Sequence, residues 1–304
     1  MLTEQQRIDR HSGLGGSDAA SALGLSPWTS PLELYLQKRG ELEEEGETTS
    51  WQRWGHLLED LIAEEAAEQL GVKVARRNST LAHKAHPFMR ANIDRRVLKE
   101  RALMECKSSG FRDESWGEPG TDEIPVYYAT QVHHYLEVTD LERCYVPVLF
   151  LLNRTIDVYI VERDRELGAR LIAAEAKFWN EHVIAGVPPE PRSIAEVRQL
   201  WGGRSELEVI ATDEVDDWHQ ELEEVKASIK VGEERKDKLV FEIGKFMQEA
   251  SILMPAAGDK PLATHKPSVS RGIDQTKLKT DYPDVYSNCL TERKTRRFLS
   301  KKRG

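Results

Sequence analysis

The chain has 304 residues, 39% hydrophobic and 31% charged, enough for one large domain with an appendage or for two domains. No apolar run reaches the roughly 18–20 residues that a bilayer span requires, and the polar start MLTEQQRIDRHSG has no apolar signal core, so the expected location is cytoplasmic, with no membrane partner. Three cysteines, Cys106, Cys144 and Cys289, are too few and too scattered for a disulfide framework or a four-cysteine zinc or iron–sulfur site. The formal charge of −9 is unevenly spread: residues 261–304 hold eleven Lys or Arg against four Asp or Glu, a net +7 that leaves −16 on residues 1–260. A basic tail follows an acidic body.

In chain order, SPLELYLQKRG reads as a helix with Ser30 as N-cap, Pro31 in the first turn and Gly40 as the stop. After the acidic run ELEEEGE, residues 50–71 predict a second helix with Trp54, Leu58, Leu61 and Ile62 on its apolar face. From Val72 the texture turns to short β-type segments, VKVARR, MRANIDRRV and RALMECKSS. A third helix follows Pro125, then two apolar strands, CYVPVLFLL and IDVYIVE, a helix over about 165–183, and the linker GVPPEP. This order predicts an α/β (α+β) core, not an all-α bundle or a β-sandwich. Beyond the linker, Val215, Trp218, Leu222, Val225, Ile229, Leu239, Ile243 and Phe246 keep a heptad register, with Gly232 and Lys236 in its gap. One long coiled-coil helix is favoured over a hairpin turning near Gly232. The expected division is a core over 1–205, a heptad-patterned helix over 206–252 and a small module with the basic tail over 253–304.

The stretch Asp94–Lys107 carries the chemistry. A turn at Lys99-Glu100 would set Asp94 opposite Glu105, and alternation along the strand puts Glu105 and Lys107 on one face with Cys106 pointing away. Two carboxylates, Asp94 and Glu105, with a backbone carbonyl such as that of Cys106, suit Mg²⁺, which keeps several waters and contacts substrate phosphate. Lys107 could orient or deprotonate an attacking water. Taken alone, the same set is equally well a cross-strand salt-bridge ladder.

Together with its surroundings, the set resembles the PD-(D/E)XK nuclease signature and, within it, the lambda exonuclease or YqaJ-type viral recombinase branch. The matching pieces are Arg10 and Ser17 within RHSGLGGSDAA, Trp54, Gly55 and Glu59 as W-G-x3-E, the Asp94/Glu105/Lys107 set, and ATQVHHY carrying Gln131. The resemblance implies a restriction-endonuclease-like core with a mixed central sheet flanked by helices. It implies a Mg²⁺-dependent exonuclease, with Mn²⁺ as a substitute, that digests linear duplex DNA 5′ to 3′ and leaves 3′ single strands for recombination. Asp94 and Glu105 would bind metal, Lys107 would activate water, and Glu59 and Gln131 would complete the site. Arg10 and Ser17 would hold the 5′-phosphate, with Asn92 and Arg112 as further phosphate ligands. The family's strand-separating apolar residue is replaced by Gln52, with Trp51 as the obvious substitute, and its Asp-Gly is Asp94-Arg95 here. Arg95 and Arg96 could also meet phosphate. The implied setting is a phage or prophage recombination system in a bacterial cell, acting with a single-strand annealing protein and as a homo-oligomer, a trimeric ring in the relative. The alternatives are an endonuclease or resolvase on the same core, and a non-catalytic DNA-end-binding scaffold. His133 and His134, adjacent on a helix, point apart and are expected to be structural.

Overall fold

A computed structural model of the chain describes residues 12–42, 50–77, 79–203, 207–291 and 298–301; of Trp51 and Gln52 it describes only the backbone. Two compact units divide between Arg192 and Ser193.

In the first unit, α1 (Gly16–Ala22), α2 (Pro31–Arg39) and α3 (Ser50–Leu70) precede the sheet. The α2 signals act as local chemistry dictates: Ser30 Oγ accepts the Glu33 N–H at 3.1 Å, and Gly40 ends the helix at φ 68°, where a side chain would be strained. The strands are β1 (Val74–Arg76), β2 (Leu81–Ala82), β3 (Arg90–Ala91), β4 (Arg95–Val97), β5 (Ala102–Met104), β6 (Lys107–Ser109), β7 (Arg143–Phe150) and β8 (Thr155–Glu162). Helix α4 (Val126–Thr139) joins β6 to β7, and α5 (Arg165–Phe178) follows β8.

The central sheet is mixed. β1, β4 and β5 are antiparallel neighbours, β5 and β6 both run parallel to β7, and β8 closes the far edge antiparallel. The pairs Met104 with Tyr145 and Lys107 with Val148 keep one register, and the Glu105 N–H donates to Tyr145 O at 2.9 Å. β5 and β6 are therefore a single line of chain along β7, and the parallel return is made by the α4 crossover, as parallel pairing requires. In the β4–β5 hairpin Arg95 lies opposite Met104 and Arg96 opposite Leu103, with Lys99 in the left-handed region at the turn. The next pair outward is Asp94 and Glu105.

Helices cover both faces of this sheet. α4 packs on one face, where Leu103, Val132, Leu136, Val146 and Tyr159 form the main core. α3 packs on the other through Ala63 and Ala66 against Val97, Ala102, Met104 and Tyr145. Here the expected α3 face needs correction: Ile62 is buried, but Trp54 and Leu61 are 58% and 61% exposed. A helix lies close to a sheet when its contact residues are small, so the alanines, not the bulkier residues, take the inner stripe. Ala66→Leu should therefore overpack this layer and cost about 1–3 kcal/mol, read as a lower urea midpoint at unchanged slope.

The second unit holds α6 (Ile194–Trp201), α7 (Asp213–Met247), a two-stranded hairpin of β9 (Ile252–Leu253) and β10 (Ala263–Thr264), α8 (Gln275–Asp281) and α9 (Pro283–Asn288). α7 is one uninterrupted helix of 35 residues through Gly232, started by Thr212, whose Oγ1 accepts the Val215 N–H. Most of the basic segment TERKTRR lies outside the described residues. Among the described residues no helix is long and apolar enough to cross a membrane.

Candidate active site

The hairpin register brings Asp94 and Glu105 to the open end of β4–β5, and the unbroken β5–β6 line sets Lys107 beside Glu105. The Cys106 N–H donates to Asp94 Oδ2 at 2.8 Å, which ties the two strands together at the site. Glu105, only 4% exposed, accepts through Oε1 from Lys107 Nζ at 2.9 Å and from Gln131 Nε2 at 2.8 Å. Gln131 reaches in from α4; its Oε1 accepts from Lys107 at 2.9 Å, and its Nε2 also donates to the Tyr135 hydroxyl at 3.2 Å. One amide thus holds the ammonium with one end and the carboxylate with the other. Lys107 also sits 4.9 Å from the centre of the Tyr128 ring.

Electrostatics make this a high-energy cluster. Burial first, and then the neighbouring Glu105 charge, push the Asp94 carboxyl up to about 8. Burial likewise raises Glu105, against the pull of Lys107. Burial alone would lower Lys107, but Glu105 and Asp94 outweigh it and hold the side chain as an ammonium above its usual range. Lys107 is therefore a donor and a positive charge in this arrangement, which favours orientation of water over its deprotonation.

Whether a divalent cation fits can be judged from the donors. Glu105 Oε2 is buried without a hydrogen-bond partner among the described residues, a costly state for a carboxylate oxygen unless something positive meets it. Asp94 and Glu105 supply two hard oxygen ligands, and no group of three or more His, Cys, Asp or Glu suited to a metal occurs among the described residues. Such a set matches Mg²⁺, which is held by one or two carboxylates and completes its shell with water and phosphate oxygens.

Glu59 approaches from α3 but is not free. Its Oε1 accepts from Arg95 Nη1 at 2.6 Å, and Arg95 also donates to the Asp94 carbonyl at 2.6 Å and to Asp60. Arg95, 5% exposed, is thus a strut between α3 and the Asp94 backbone and is not displayed toward phosphate, contrary to the sequence expectation. Ser17 is exposed in the first turn of α1, close behind Gly16, where an added Cβ would lie 2.3 Å from the Tyr135 ring. That close approach places α1 against the residue that Gln131 contacts. Asn92 is exposed. Arg112 donates to Gly117 O and lies 3.7 Å from Asp157 and 3.5 Å from Glu118. Arg10 lies outside the described residues, as do the side chains of Trp51 and Gln52.

Two features escape sequence reasoning. His134 is fully buried, its Nδ1 2.9 Å from both Glu175 oxygens and its Nε2 2.9 Å from Arg90 O. Acceptors at both nitrogens call for an imidazolium, and Glu175 outweighs the effect of burial and raises its pKa. The pair bolts α4 to α5 and has the structural role expected of this histidine. The second feature is a run of rings leading outward: Lys107 lies over Tyr128, Tyr128 meets Tyr127 edge-on at 4.5 Å, and Tyr127 meets Trp28 at 4.7 Å. Trp28 is 67% exposed, on a turn where Ser26 Oγ accepts the Trp28 and Thr29 N–H groups.

Residues 7–142 match the YqaJ-like viral recombinase domain. The chain is also 32% identical to the uncharacterized protein YqaJ of Bacillus subtilis strain 168, over 98% of this chain and 94% of that one. The chain belongs to the YqaJ-like viral recombinase family. The matched segment of this YqaJ-like chain contains Arg10, Ser17, Glu59, the Asp94/Glu105/Lys107 set and Gln131. Solved structures similar to it include the alkaline exonuclease LHK-Exo of Laribacter hongkongensis, at 16% identity over 61% of this chain and 94% of that one, with a TM-score of 0.48. A second is LHK-Exo in complex with dAMP, at 17% identity over 65% and 97%, TM-score 0.48. A third is a phage-related exonuclease from Haemophilus somnus 129PT, at 15% identity over 57% and 96%, TM-score 0.41.

Proposed function

We propose that this protein is a Mg²⁺-dependent exonuclease acting on the ends of linear double-stranded DNA, digesting 5′ to 3′ and exposing 3′ strands for phage-type recombination with a single-strand annealing protein. The observation that carries the reading is the buried Asp94/Glu105/Lys107 cluster, with a Glu105 oxygen that has no partner among the described residues, inside a segment that matches a viral recombinase domain. Mn²⁺ is the expected substitute metal, homo-oligomerisation the expected state and the bacterial cytoplasm the expected setting; the nuclease core is assigned to residues 1–205.

Asp94 and Glu105 would hold the cation, with the Cys106 backbone carbonyl as a third donor. When bound, a divalent ion acidifies a water and withdraws charge from a phosphoryl oxygen. Lys107, as an ammonium, orients the attacking water and offsets charge accumulating on the phosphate oxygens. Gln131 positions both Lys107 and Glu105, and Glu59 adds negative charge beside Asp94. Arg10 and Ser17, helped by Asn92 and Arg112, would anchor the 5′-phosphate. Trp51 and Gln52, opening α3, would part the terminal base pair.

The test is digestion of linear duplex with 5′-phosphate or 5′-hydroxyl ends, and of a closed circle, in Mg²⁺ and in EDTA. Loss of the 5′-phosphorylated linear strand in Mg²⁺ alone is expected. Nicking of the circle would replace the reading with an endonuclease, and binding without cleavage in any divalent metal would replace it with a scaffold.

Trp28 belongs to the same reading as a stacking platform for a base of the substrate at the outer end of the ring run that starts at Lys107. Base–aromatic stacking contributes about 1–3 kcal/mol. Trp28→Ala should raise KM for duplex by about ten-fold or more with kcat little changed, and Trp28→Phe should recover part of it. Equal KM values for the three proteins would remove Trp28 from the substrate path.

A further inference from the structure

Six to eight residues beyond Gln131, about 9–12 Å along the α4 axis at 1.5 Å per residue, a concavity opens at the closed end of the β4–β5 hairpin. It has a volume of about 580 Å³ and lies between the C-terminal end of α4, the hairpin turn and the segment around His83. Five cations line it, Arg77, Lys84, Arg96, Arg101 and Arg163, against the carboxylates of Glu137 and Asp140.

The two acids are already engaged. Arg163 holds Glu137 through Nε and Nη2, both at 2.8 Å, and Asp140 through Nη1 at 2.6 Å. Arg101 leans on the Asp140 carbonyl at 2.6 Å and on Glu142 at 3.2 Å. That leaves Arg77, Lys84 and Arg96 in no direct ion pair with a carboxylate among the described residues, Lys84 lying only within electrostatic reach of Asp140. Arg77 donates through Nε to Ser79 Oγ at 3.2 Å. Arg96, half-buried, uses Nη1 to reach the Val97 and Ala102 carbonyls, which leaves the Nε/Nη2 edge of its guanidinium, the one that grips two oxygens of an anion side by side, without a partner among the described residues. Arg77 and Arg101 both lie within electrostatic reach of Arg96. A body with a strong excess of acidic residues has carboxylates to spare, yet among the described residues none forms a direct ion pair with these three cations. Like charges crowded on one concave surface are stabilised when an anion enters it.

We infer that the pocket formed by Arg77, Lys84, Arg96 and Arg101 is a phosphate-binding site, separate from the carboxylate cluster. Its volume admits a nucleotide, and the planar Arg96 fork fits two phosphate oxygens. The phosphate can come from a nucleic-acid strand or from free phosphate. The inference does not depend on the nuclease reading, because binding is measured without cleavage.

The experiment uses the full chain in EDTA, with Arg77→Gln/Lys84→Gln as the principal variant, since both side chains are exposed and the hairpin contacts of Arg96 stay intact. Arg96→Lys, which keeps the charge and loses the fork, is the second. Inorganic phosphate should raise the Tm of the wild type and not that of the double variant. A 5′-hydroxyl (dT)15 oligonucleotide should bind the double variant about ten-fold more weakly, with a log K against log salt slope shallower by about 1.4, at about 0.7 per lost contact. Arg96→Lys should fall between. A phosphate response that differs between the proteins, with equal oligonucleotide affinity, supports the site and names free phosphate as its source. Equal responses of wild type and double variant to both probes, or a difference confined to an acidic (Glu)8 peptide, would overturn it. Because both probes are read in EDTA without cleavage, the two readings fail separately: absence of digestion would leave this site standing, and equal binding responses would leave the nuclease reading standing.

Discussion

Lys107→Ala should lower the rate of duplex cleavage by about 10²–10⁴-fold while leaving duplex binding, measured in Ca²⁺, within a few-fold of wild type. The size follows from where the ammonium is fixed. It is held at 2.9 Å by both Glu105 and Gln131 and lies over the Tyr128 ring, so it needs no reorganisation to face a charge developing between the carboxylates. The alanine variant loses that charge and leaves Glu105 with one fewer donor, raising the carboxyl further. Lys107→Arg keeps the charge but replaces a single donor atom held at 2.9 Å by both Glu105 and Gln131 with a longer planar fork, and should recover little. Single-turnover digestion of end-labelled duplex gives the answer, and a variant within ten-fold of wild type would sink the catalytic role of Lys107.

Asp94→Asn should abolish cleavage and, in EDTA at pH 8, make the protein more stable than wild type. The unfolded chain loses the Asp94 proton near pH 4, whereas burial and Glu105 hold it in the folded protein up to about 8. Between these values the folded state binds more protons than the unfolded state, so the Asp94 contribution destabilises progressively as pH rises from about 4 to about 8. The full gap corresponds to at most about 5 kcal/mol at pH 8. Asparagine has no proton to lose and keeps the acceptor for the Cys106 N–H. The measurement is urea unfolding of both proteins at pH 5 and pH 8, with and without Mg²⁺. The difference between them should widen at pH 8 in EDTA, and Mg²⁺ should raise the wild-type midpoint with little effect on the variant. Parallel pH dependence of the two proteins in EDTA would refute the argument.

The parts of this site that were legible in the sequence are those governed by strand geometry. Alternation and a turn at Lys99-Glu100 are enough to put Asp94 across from Glu105 and Lys107 beside it, and the structure has that register. The α2 boundaries were legible for a similar reason, since Ser30, Pro31 and Gly40 act within their own turn. What escaped depends on distant chain. Nothing near Arg95 in sequence says that it will be buried against Glu59, 36 residues away, and His134 meets Glu175 across 41 residues. The α3 face is not legible in the sequence because hydrophobicity ranks Trp54 and Leu61 above Ala63 and Ala66, while closeness to the sheet rewards the small residues. Trp28 gives no signal in the sequence because a lone aromatic carries no periodicity; its position beside Tyr127 is purely tertiary.

Gln131 sets a limit on how this site can evolve. Its oxygen end faces an ammonium and its nitrogen end faces a carboxylate, so the neighbouring charges disfavour the amide turning over. Glutamate in its place would lose the donor to Glu105 and add a third negative charge; lysine would lose the acceptor for Lys107 and add a second positive one. Only a side chain that is donor and acceptor at once, without net charge, can sit between the two, so the helix and the strand must change together if either changes at all.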